Sequence, residues 1–225
     1  MRLEQIWRYP VKSMAGEILG SVELGAVGLP GDRRVAIVDP AGYRPGHPVT
    51  AREIPLLLSF AARWESGEAV ISGPGLADVG HRDPAAAEAL SEHVGRRLEF
   101  LELDEPAVDD SPVHAVHLSW VGQLEAELGA PVDLRRFRAN LYLRGTTPAP
   151  ERSWAGHRLR AGAALLEVVD VCRRCALTTR DPAAPARSWP LLLRHLVERR
   201  SEVLGVYLGT AVPGELSVGM VAQLD

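Results

Sequence analysis

Two cysteines, Cys172 and Cys175, have the clearest chemical potential in this chain. Arg173 and Arg174 separate them, and neighbouring cations favour a thiolate over a thiol. Thiolates are soft metal ligands and good nucleophiles, so both metal binding and redox exchange are open here. Two cysteines are too few for a disulfide scaffold. The alternative is that both are small buried residues without a chemical role.

A zinc site would need two further ligands, and the sequence HAVH offers His114 and His117. On a helix these two rings would share a face, whereas on a strand an i,i+3 pair points to opposite faces. The order and the long separation of the histidines and cysteines match no common zinc module. A thioredoxin-type dithiol is also weakly indicated. That motif opens a helix, whereas the residues after Cys175, ALTTRDP, favour β structure.

Lys12, in the sequence YPVKS, is the only lysine among the 25 Lys and Arg residues. A lysine ammonium is a compact, movable point charge, unlike the rigid fork of an arginine. Other polar clusters fall at predicted strand ends or in loops, where functional groups are usually mounted. These clusters are Asp32, Arg33 and Arg34; Thr50, Arg52 and Glu53; Asp109, Asp110 and Ser111; and Arg136, Arg138 and Asn140. Arg138 and Asn140, two apart in a predicted strand, would point to one face, but spacing alone does not show whether the clusters converge.

Composition excludes several classes of protein. A formal charge of −4 argues against a general nucleic-acid binder, which needs a basic face. No apolar run approaches the length of a membrane span, and the first ten residues lack the apolar core of a signal peptide, so we expect a cytoplasmic protein. The usual phosphate-binding fingerprints and the serine nucleophile elbow are missing, which argues against nucleotide-binding enzymes and hydrolases.

Short apolar runs separated by Gly and Pro predict a mainly β (α+β) fold. Predicted strands cover 2–9, 18–24, 33–39, 137–145, 157–171, 203–209 and 214–225, with a hairpin over 61–73 that turns at 65–68. Helices are predicted over 83–98, 118–129 and 188–200, with Asp83 and Ser119 as N-caps and Gly95 and Gly129 near their ends. Loops are predicted over 25–32, 146–156 and 180–190. A domain boundary is predicted near residue 105.

Taken in order, the polar clusters resemble the MOSC family, the molybdenum-cofactor sulfurase C-terminal domain joined to its N-terminal β-barrel partner. The resemblance runs nearly end to end and rests on YPVKS, GDR, VTARE, DDSP, FRAN, CRRCALTTRDP and GELSVG. It implies a β-barrel MOSC domain over 106–225, packed with a smaller β-rich domain over 1–105 and about three helices. The chain is similar to the bacterial and mitochondrial amidoxime-reducing proteins, which reduce N-hydroxylated compounds at a molybdenum centre.

The resemblance implies a molybdenum cofactor, molybdopterin carrying the metal, and a role for each matching residue. Cys175 would be the catalytic residue and the protein ligand of molybdenum, whereas Cys172 is not expected to bind metal. The implied cofactor contacts are Lys12, Ser13, Arg33, Asp109, Ser111, Arg138, Asn140 and Arg174. These residue types suit the group, because a phosphate and a dithiolene-bound metal call for cations and hydrogen-bond donors.

The implied activity is reduction of a small N-hydroxylated substrate with electrons from a separate protein, ferredoxin- or cytochrome-like with a reductase. The alternative is a non-catalytic carrier of the cofactor or of sulfur, with a persulfide on Cys175 or Cys172. A third hypothesis is a small metal-binding or dithiol protein without a pterin. The chain departs from the family at Asp110, where Thr is usual, and at Ala139, where Pro is commoner. A carboxylate beside an anionic cofactor is unfavourable unless it turns away.

Overall fold

The structure, a computed structural model, describes residues 1–44, 46–146 and 150–225, and β-strands connected by loops dominate it. In chain order the strands are β1 (Arg2–Arg8), β2 (Glu17–Leu19), β3 (Ser21–Leu24), β4 (Val35–Val38), β5 (Pro48–Val49), β6 (Ala61–Glu65), β7 (Glu68–Gly73), β8 (Leu76–Gly80), β9 (Glu99–Glu102), β10 (Val113–His117), β11 (Leu141–Arg144), β12 (Arg158–Ala161), β13 (Ala164–Arg173), β14 (Val203–Val212), β15 (Gly214–Ser217) and β16 (Ala222–Leu224). The α-helices are α1 (Pro84–Val94), α2 (Leu118–Leu128) and α3 (Pro190–Arg200). Short 3-10 helices cover Pro55–Ser59, Leu134–Arg136, Glu151–Trp154 and Ala176–Thr179.

One eight-stranded sheet organises the chain, in the order β16-β12-β13-β14-β10-β11-β1-β2. Smaller sheets pair β15 with β3, β5 and β9 with β4, and β6 and β8 with β7. The mainly β fold with three α-helices is therefore confirmed. Within the described residues the strand ladders remain open rather than closing into barrels. Backbone bonds such as Leu3 N to Met220 O, 2.9 Å, still tie β1 to the segment before β16.

Two hydrophobic cores lie beneath these sheets. The larger packs Leu3 and Ile6 of β1 with residues of the second half of the chain, including Leu141 and Leu166. The smaller gathers residues between Val11 and Leu98. The first strand thus belongs to the sheet and the core of the second half, because β1 pairs antiparallel with β11. The division of domains at residue 105 stays a prediction.

Local signals explain most element ends. Asp83 caps α1 by accepting a hydrogen bond from Ala85 N at 3.0 Å, and Gly95 ends that helix with a φ of 72°. The predicted hairpin is confirmed as β6 and β7, with Ser66 and Gly67 at positive φ in its two-residue turn. The strand predicted over 18–24 is divided at Gly20 into β2 and β3.

Two other predictions about element ends are corrected. Ser119 does not cap α2, because the imidazole Nδ1 of His117 accepts the hydrogen bond from Ser119 N instead, at 3.2 Å. The third helix begins at Pro190 rather than at residue 188. Of the loop predicted over 146–156, residues 147–149 lie outside the described residues. None of the described helices has the length and apolarity that a membrane span requires.

The cap of α2 leads to a pH-dependent prediction. Burial lowers the pKa of His117 from its ordinary value of 6.5 to about 4, so His117 contributes stability above pH 6.5 that is lost as the pH falls towards 4. His117→Asn keeps a capping oxygen but does not titrate. Between pH 7 and pH 4 we therefore expect its free energy of unfolding to fall by on the order of 2 kcal/mol less than that of the wild type. Urea unfolding of both proteins between pH 7 and pH 4 measures the difference. His47→Asn, at an exposed histidine, is the control, and parallel curves for His117→Asn and the wild type would contradict the prediction.

Candidate functional site

One solvent-open cleft of about 780 Å³ collects side chains from both halves of the chain. All the residues that the resemblance implies as site residues line it: Lys12, Ser13, Arg33, Asp109, Ser111, Arg138, Asn140, Arg174 and Cys175. The structure therefore brings these side chains together, and their individual roles stay predictions.

Backbone hydrogen bonds between distant segments explain the convergence. Lys12 N donates to Val35 O at 2.8 Å, and Arg33 N donates to Tyr9 O at 2.8 Å, which places the segment after β1 beside the segment before β4. In the second half of the chain, Asn140 joins two distant segments in a similar way. Its N–H donates to His114 O at 2.8 Å, and its Oδ1 accepts from His114 N at 3.1 Å.

The side-chain amide of Asn140 is fully buried, and much of it is already used. Besides accepting from His114 N, Asn140 Oδ1 lies 3.3 Å from Arg33 Nη1, and Asn140 Nδ2 donates to Trp7 O at 3.2 Å. Asn140 therefore holds β1, β10 and the Arg33 guanidinium together at the bottom of the cleft. Its contribution to any bound ligand is chiefly to position these neighbours.

Three cleft residues adopt left-handed backbone conformations, which side chains other than glycine rarely do. The φ angles are 74° for Ser13, 52° for Arg33 and 51° for Arg138. Such strain tends to gather where side chains must be aimed at a ligand. The strand predicted over 137–145 is present but begins only at Leu141, as β11. Arg138 and Asn140 lie before it, so the argument that they share a strand face is wrong. Both residues nevertheless line the cleft.

The charge of the cleft is strongly positive. Its cations are Lys12, Arg33, Arg52, Arg138, Arg173 and Arg174. Asp109 is the one carboxylate among the described residues that line it. It bridges two of these cations, with Lys12 Nζ 3.0 Å from Oδ1 and Arg52 Nη2 2.9 Å from Oδ2. Burial favours protonation of Asp109, but Lys12 and Arg52 outweigh it and hold its pKa below the ordinary value.

Buried groups behind the cleft support its arginines. Asp32 is 2% exposed, pairs with the Arg33 guanidinium, and accepts a hydrogen bond from Tyr9 N at 2.7 Å. The Arg138 guanidinium lies 4.3 Å from the centre of the Tyr9 ring and donates to Met14 O. Burial lowers the pKa of Arg138 to about 10. The cleft thus contains a buried cation that an anionic ligand would stabilise.

The two cysteines have different surroundings. Cys172 is the last residue but one of β13 and is buried. Cys175 is half-buried and directly precedes the 3-10 helix Ala176–Thr179, which replaces the expected β structure. Both thiols are free. Arg174 Nη1 donates to Cys172 Sγ at 2.9 Å, and its Nη2 donates to Phe137 O at 2.8 Å. Burial acts to lower the pKa of Arg174, but Cys172 raises it on balance. Arg174 therefore stays charged beside Cys172, and Cys175 is the more accessible thiol.

The histidines do not complete a zinc site with the cysteines. HAVH forms β10, so His114 lines the cleft whereas His117 caps α2 away from it. Arg174 Nη1 lies between His114 Nε2, at 3.5 Å, and Cys172 Sγ, which puts a cation where the metal would be. Across the described ranges, no three His, Cys, Asp or Glu side chains form a group that could hold a metal ion. A metal whose other ligands come from an organic cofactor needs a single thiolate, and Cys175 fits that requirement.

Sequence reasoning missed several residues of the cleft. Arg52 was noted as part of a polar cluster but not assigned to the site, and Tyr207 was not noted at all. The Tyr207 hydroxyl lies beside Cys172, and its pKa is raised by burial and then by that thiol. The signal for Tyr207 is a single polar group in the apolar strand VLGVYLG.

Models of two protein domains match the chain in sequence. The family model of the MOSC N-terminal beta barrel domain matches residues 1–111, and that of the MOSC domain matches residues 102–222. Among solved structures, the YuaD protein from Bacillus subtilis is 14% identical, with 99% of this chain and 94% of that chain covered and a TM-score of 0.52. That similarity shows the fold alone.

Two structures of YiiM match less well. YiiM from Escherichia coli is 14% identical, with 100% of this chain and 70% of that chain covered and a TM-score of 0.45. YiiM from Geobacillus stearothermophilus is 20% identical, with 51% and 54% covered and a TM-score of 0.39. No curated protein matches the chain. MOSC domains are associated with binding of the molybdenum cofactor. With family models matched along nearly its whole length, the chain belongs to the MOSC family.

Proposed function

We propose that this protein is a molybdenum-cofactor-binding oxidoreductase that reduces small N-hydroxylated compounds with electrons from a separate donor protein, ferredoxin- or cytochrome-like. The observation that supports it best is the half-buried thiol of Cys175 in a cleft with six cations and the single described carboxylate of Asp109. A soft thiolate amid an excess of positive charge suits a soft metal on an anionic organic group.

In this proposal the residues of the cleft would have different roles in binding the cofactor. Cys175 would ligate the metal, and Lys12, Arg33 and Arg138 would face the anionic part of the cofactor. The hydroxyls of Ser13 and Ser111 would donate hydrogen bonds. When bound, the cofactor supplies two-electron oxygen-transfer chemistry, and the protein contributes orientation and electrostatics.

The charge states of His114 and Asp109 affect how the cleft would receive an anionic cofactor. Burial, assisted by the Arg174 cation, lowers the pKa of His114 well below its ordinary value, so His114 remains neutral at pH 7 and offers a hydrogen bond without adding charge. Asp109 would have to release Lys12 Nζ before that ammonium can face an anion. Asp109 is half-exposed in this ion pair, so we expect its release to cost little.

Metal analysis of protein from a cofactor-competent host tests the proposal. We expect near-stoichiometric molybdenum in the wild type and, in Lys12→Ala, a loss on the order of tenfold in cofactor affinity, because one charge-assisted contact is removed. Arg97→Ala, at an exposed arginine paired with Glu99 and outside the cleft, is the matched control. Zinc in place of molybdenum, or no metal, would contradict cofactor binding. A persulfide on a metal-free protein would support the carrier instead.

A second measurement separates cofactor binding from the reaction. Protein that contains molybdenum is mixed with benzamidoxime and a chemical reductant, and benzamidine is quantified. Formation of benzamidine is the expected result. A molybdenum-loaded protein that turns over neither benzamidoxime nor N-hydroxylated bases would contradict the reductase while leaving cofactor binding in place.

A further inference from the structure

A second concavity adjoins the cleft and shares Arg138 and Leu177 with it. We call it the arginine groove and define it by Trp7, Tyr9, Arg135, Arg136, Arg138 and Arg180, with small and apolar residues between them. Its volume is about 740 Å³, including the part open to solvent. Neither the family match nor the cofactor chemistry assigns it a ligand.

The charge of the arginine groove is not balanced by its own lining. It contains four arginines, and none of the described lining residues is acidic. Arg135 pairs with Asp133 at the surface, 2.6 Å apart. Arg136 Nη1 instead donates to backbone carbonyls, including Thr179 O at 2.9 Å, and Arg138 likewise donates to Met14 O. Carbonyl oxygens satisfy these N–H groups but do not neutralise the charge.

The directions in which the pKa values of the arginines are shifted agree with this excess of positive charge. Burial lowers the pKa of both Arg136 and Arg138. In Arg33 and Arg174, burial acts in the same direction, but Asp32 and Cys172 respectively raise the pKa on balance. Asp181 and Asp133 act on Arg136, and Asp32 and Asp109 act on Arg138, but in neither arginine do these carboxylates compensate for burial. A bound anion would compensate for the burial of these two arginines.

The remaining wall of the groove is aromatic. The rings of Trp7 and Tyr9 are stacked, with centroids 6.1 Å apart and planes 11° apart. Gly16 also lines the groove, and a Cβ atom there would come 2.5 Å from Tyr9 Cδ1, so this glycine allows the rings to lie against the backbone. Arg138 covers the Tyr9 ring, whereas Trp7 is half-buried and lines the groove. A flat aromatic ring of a ligand can stack on the Trp7 indole.

We propose that the arginine groove is a second ligand site, which binds a planar aromatic molecule carrying a carboxylate. The ring would lie against Trp7, and the carboxylate would be held by Arg136 and Arg180. A guanidinium and a carboxylate match in geometry as well as charge, which favours this anion. The inference does not depend on the proposed reductase activity, since the groove is formed by the chain alone.

Equilibrium dialysis of the full chain with naphthalene-2-carboxylate tests the proposal, with naphthalene-2-carboxamide as the uncharged probe of the same shape. We expect the carboxylate to bind on the order of tenfold more tightly than the carboxamide. Arg180→Gln should remove most of that preference. Arg187→Gln is the matched control, because Arg187 is exposed in the same loop and does not line the groove. Arg136→Gln, at the other arginine that would hold the carboxylate, provides a second variant if Arg180→Gln unfolds.

Three results would overturn the proposal. The first is equal binding of the two probes, which would show an apolar pocket indifferent to charge. The second is tight carboxylate binding that survives both Arg180→Gln and Arg136→Gln. The third is loss of binding in Lys12→Ala, because Lys12 lines the cleft but not the arginine groove, and the carboxylate would then be in the cleft.

Discussion

Replacing Cys175 with serine is expected to abolish retention of molybdenum, whereas replacing Cys172 with serine is expected to preserve most of it. Cys175 is the more accessible thiol in the cationic cleft, and a serine hydroxyl is a much poorer ligand than a thiolate for a soft metal. Cys172 is buried and already accepts a hydrogen bond from Arg174 Nη1, which a serine oxygen can also accept. Molybdenum per chain, measured on protein from a cofactor-competent host, gives the comparison.

The paired design makes the result specific. Both variants change one sulfur to oxygen in the same motif, so a general effect of losing a thiol would reduce the molybdenum content of both. Circular dichroism and the thermal midpoint establish that each variant is folded. Full molybdenum content in Cys175→Ser, or equal losses in the two variants, would contradict the role of Cys175 as the metal ligand.

Asp32→Asn is expected to lower the free energy of unfolding by about 3–5 kcal/mol, because removing one partner leaves a buried charge unpaired. Asp32 is almost completely buried, where it pairs with Arg33 and accepts the hydrogen bond from Tyr9 N. An asparagine can keep the bond to Tyr9 N, but it leaves Arg33 without its buried counter-ion. Urea unfolding at pH 7 measures the change.

Asp83→Asn is the matched control for this variant. Asp83 is exposed and caps α1, and asparagine is an equally good N-cap, so we expect a change of about 0.5 kcal/mol or less. A loss of stability in Asp32→Asn no larger than that of the control would show that the Arg33 charge is compensated elsewhere. The urea dependence should keep the same slope in all three proteins if the denatured state is unchanged.

The parts of the fold that could be predicted depend on residues close together in sequence. Asp83 sets the start of α1 and Gly95 its end, each through contacts within a few residues. The turn at Ser66 and Gly67 is likewise local. The cap of α2 could not be assigned in the same way. His117 and Ser119 are both near its start, and the choice depends on how β10 leads into the helix.

The same distinction applies to the site. Residue types and the family resemblance indicated which side chains could bind an anionic cofactor, but not how they are engaged with one another. Asp109 bridges Lys12 and Arg52, and Asn140 is buried among backbone groups of β1 and β10. Neither arrangement can be deduced from the sequence, because each joins segments that are far apart in the chain. The strand prediction was wrong at Arg138 because its left-handed backbone is stabilised by tertiary contacts rather than by its own propensity.

The position of β1 has a consequence for synthesis of the protein. This strand leaves the ribosome well before β11, its partner in the large sheet, which is more than 130 residues later in the chain. A nascent chain of the first half therefore presents an unpaired strand edge, of the kind that other chains can pair with. We expect residues 1–105 expressed alone to depend on chaperones or to associate, whereas the full chain protects this edge itself. The cleft, too, can be completed only after residue 207 has been made, because Tyr207 lines it.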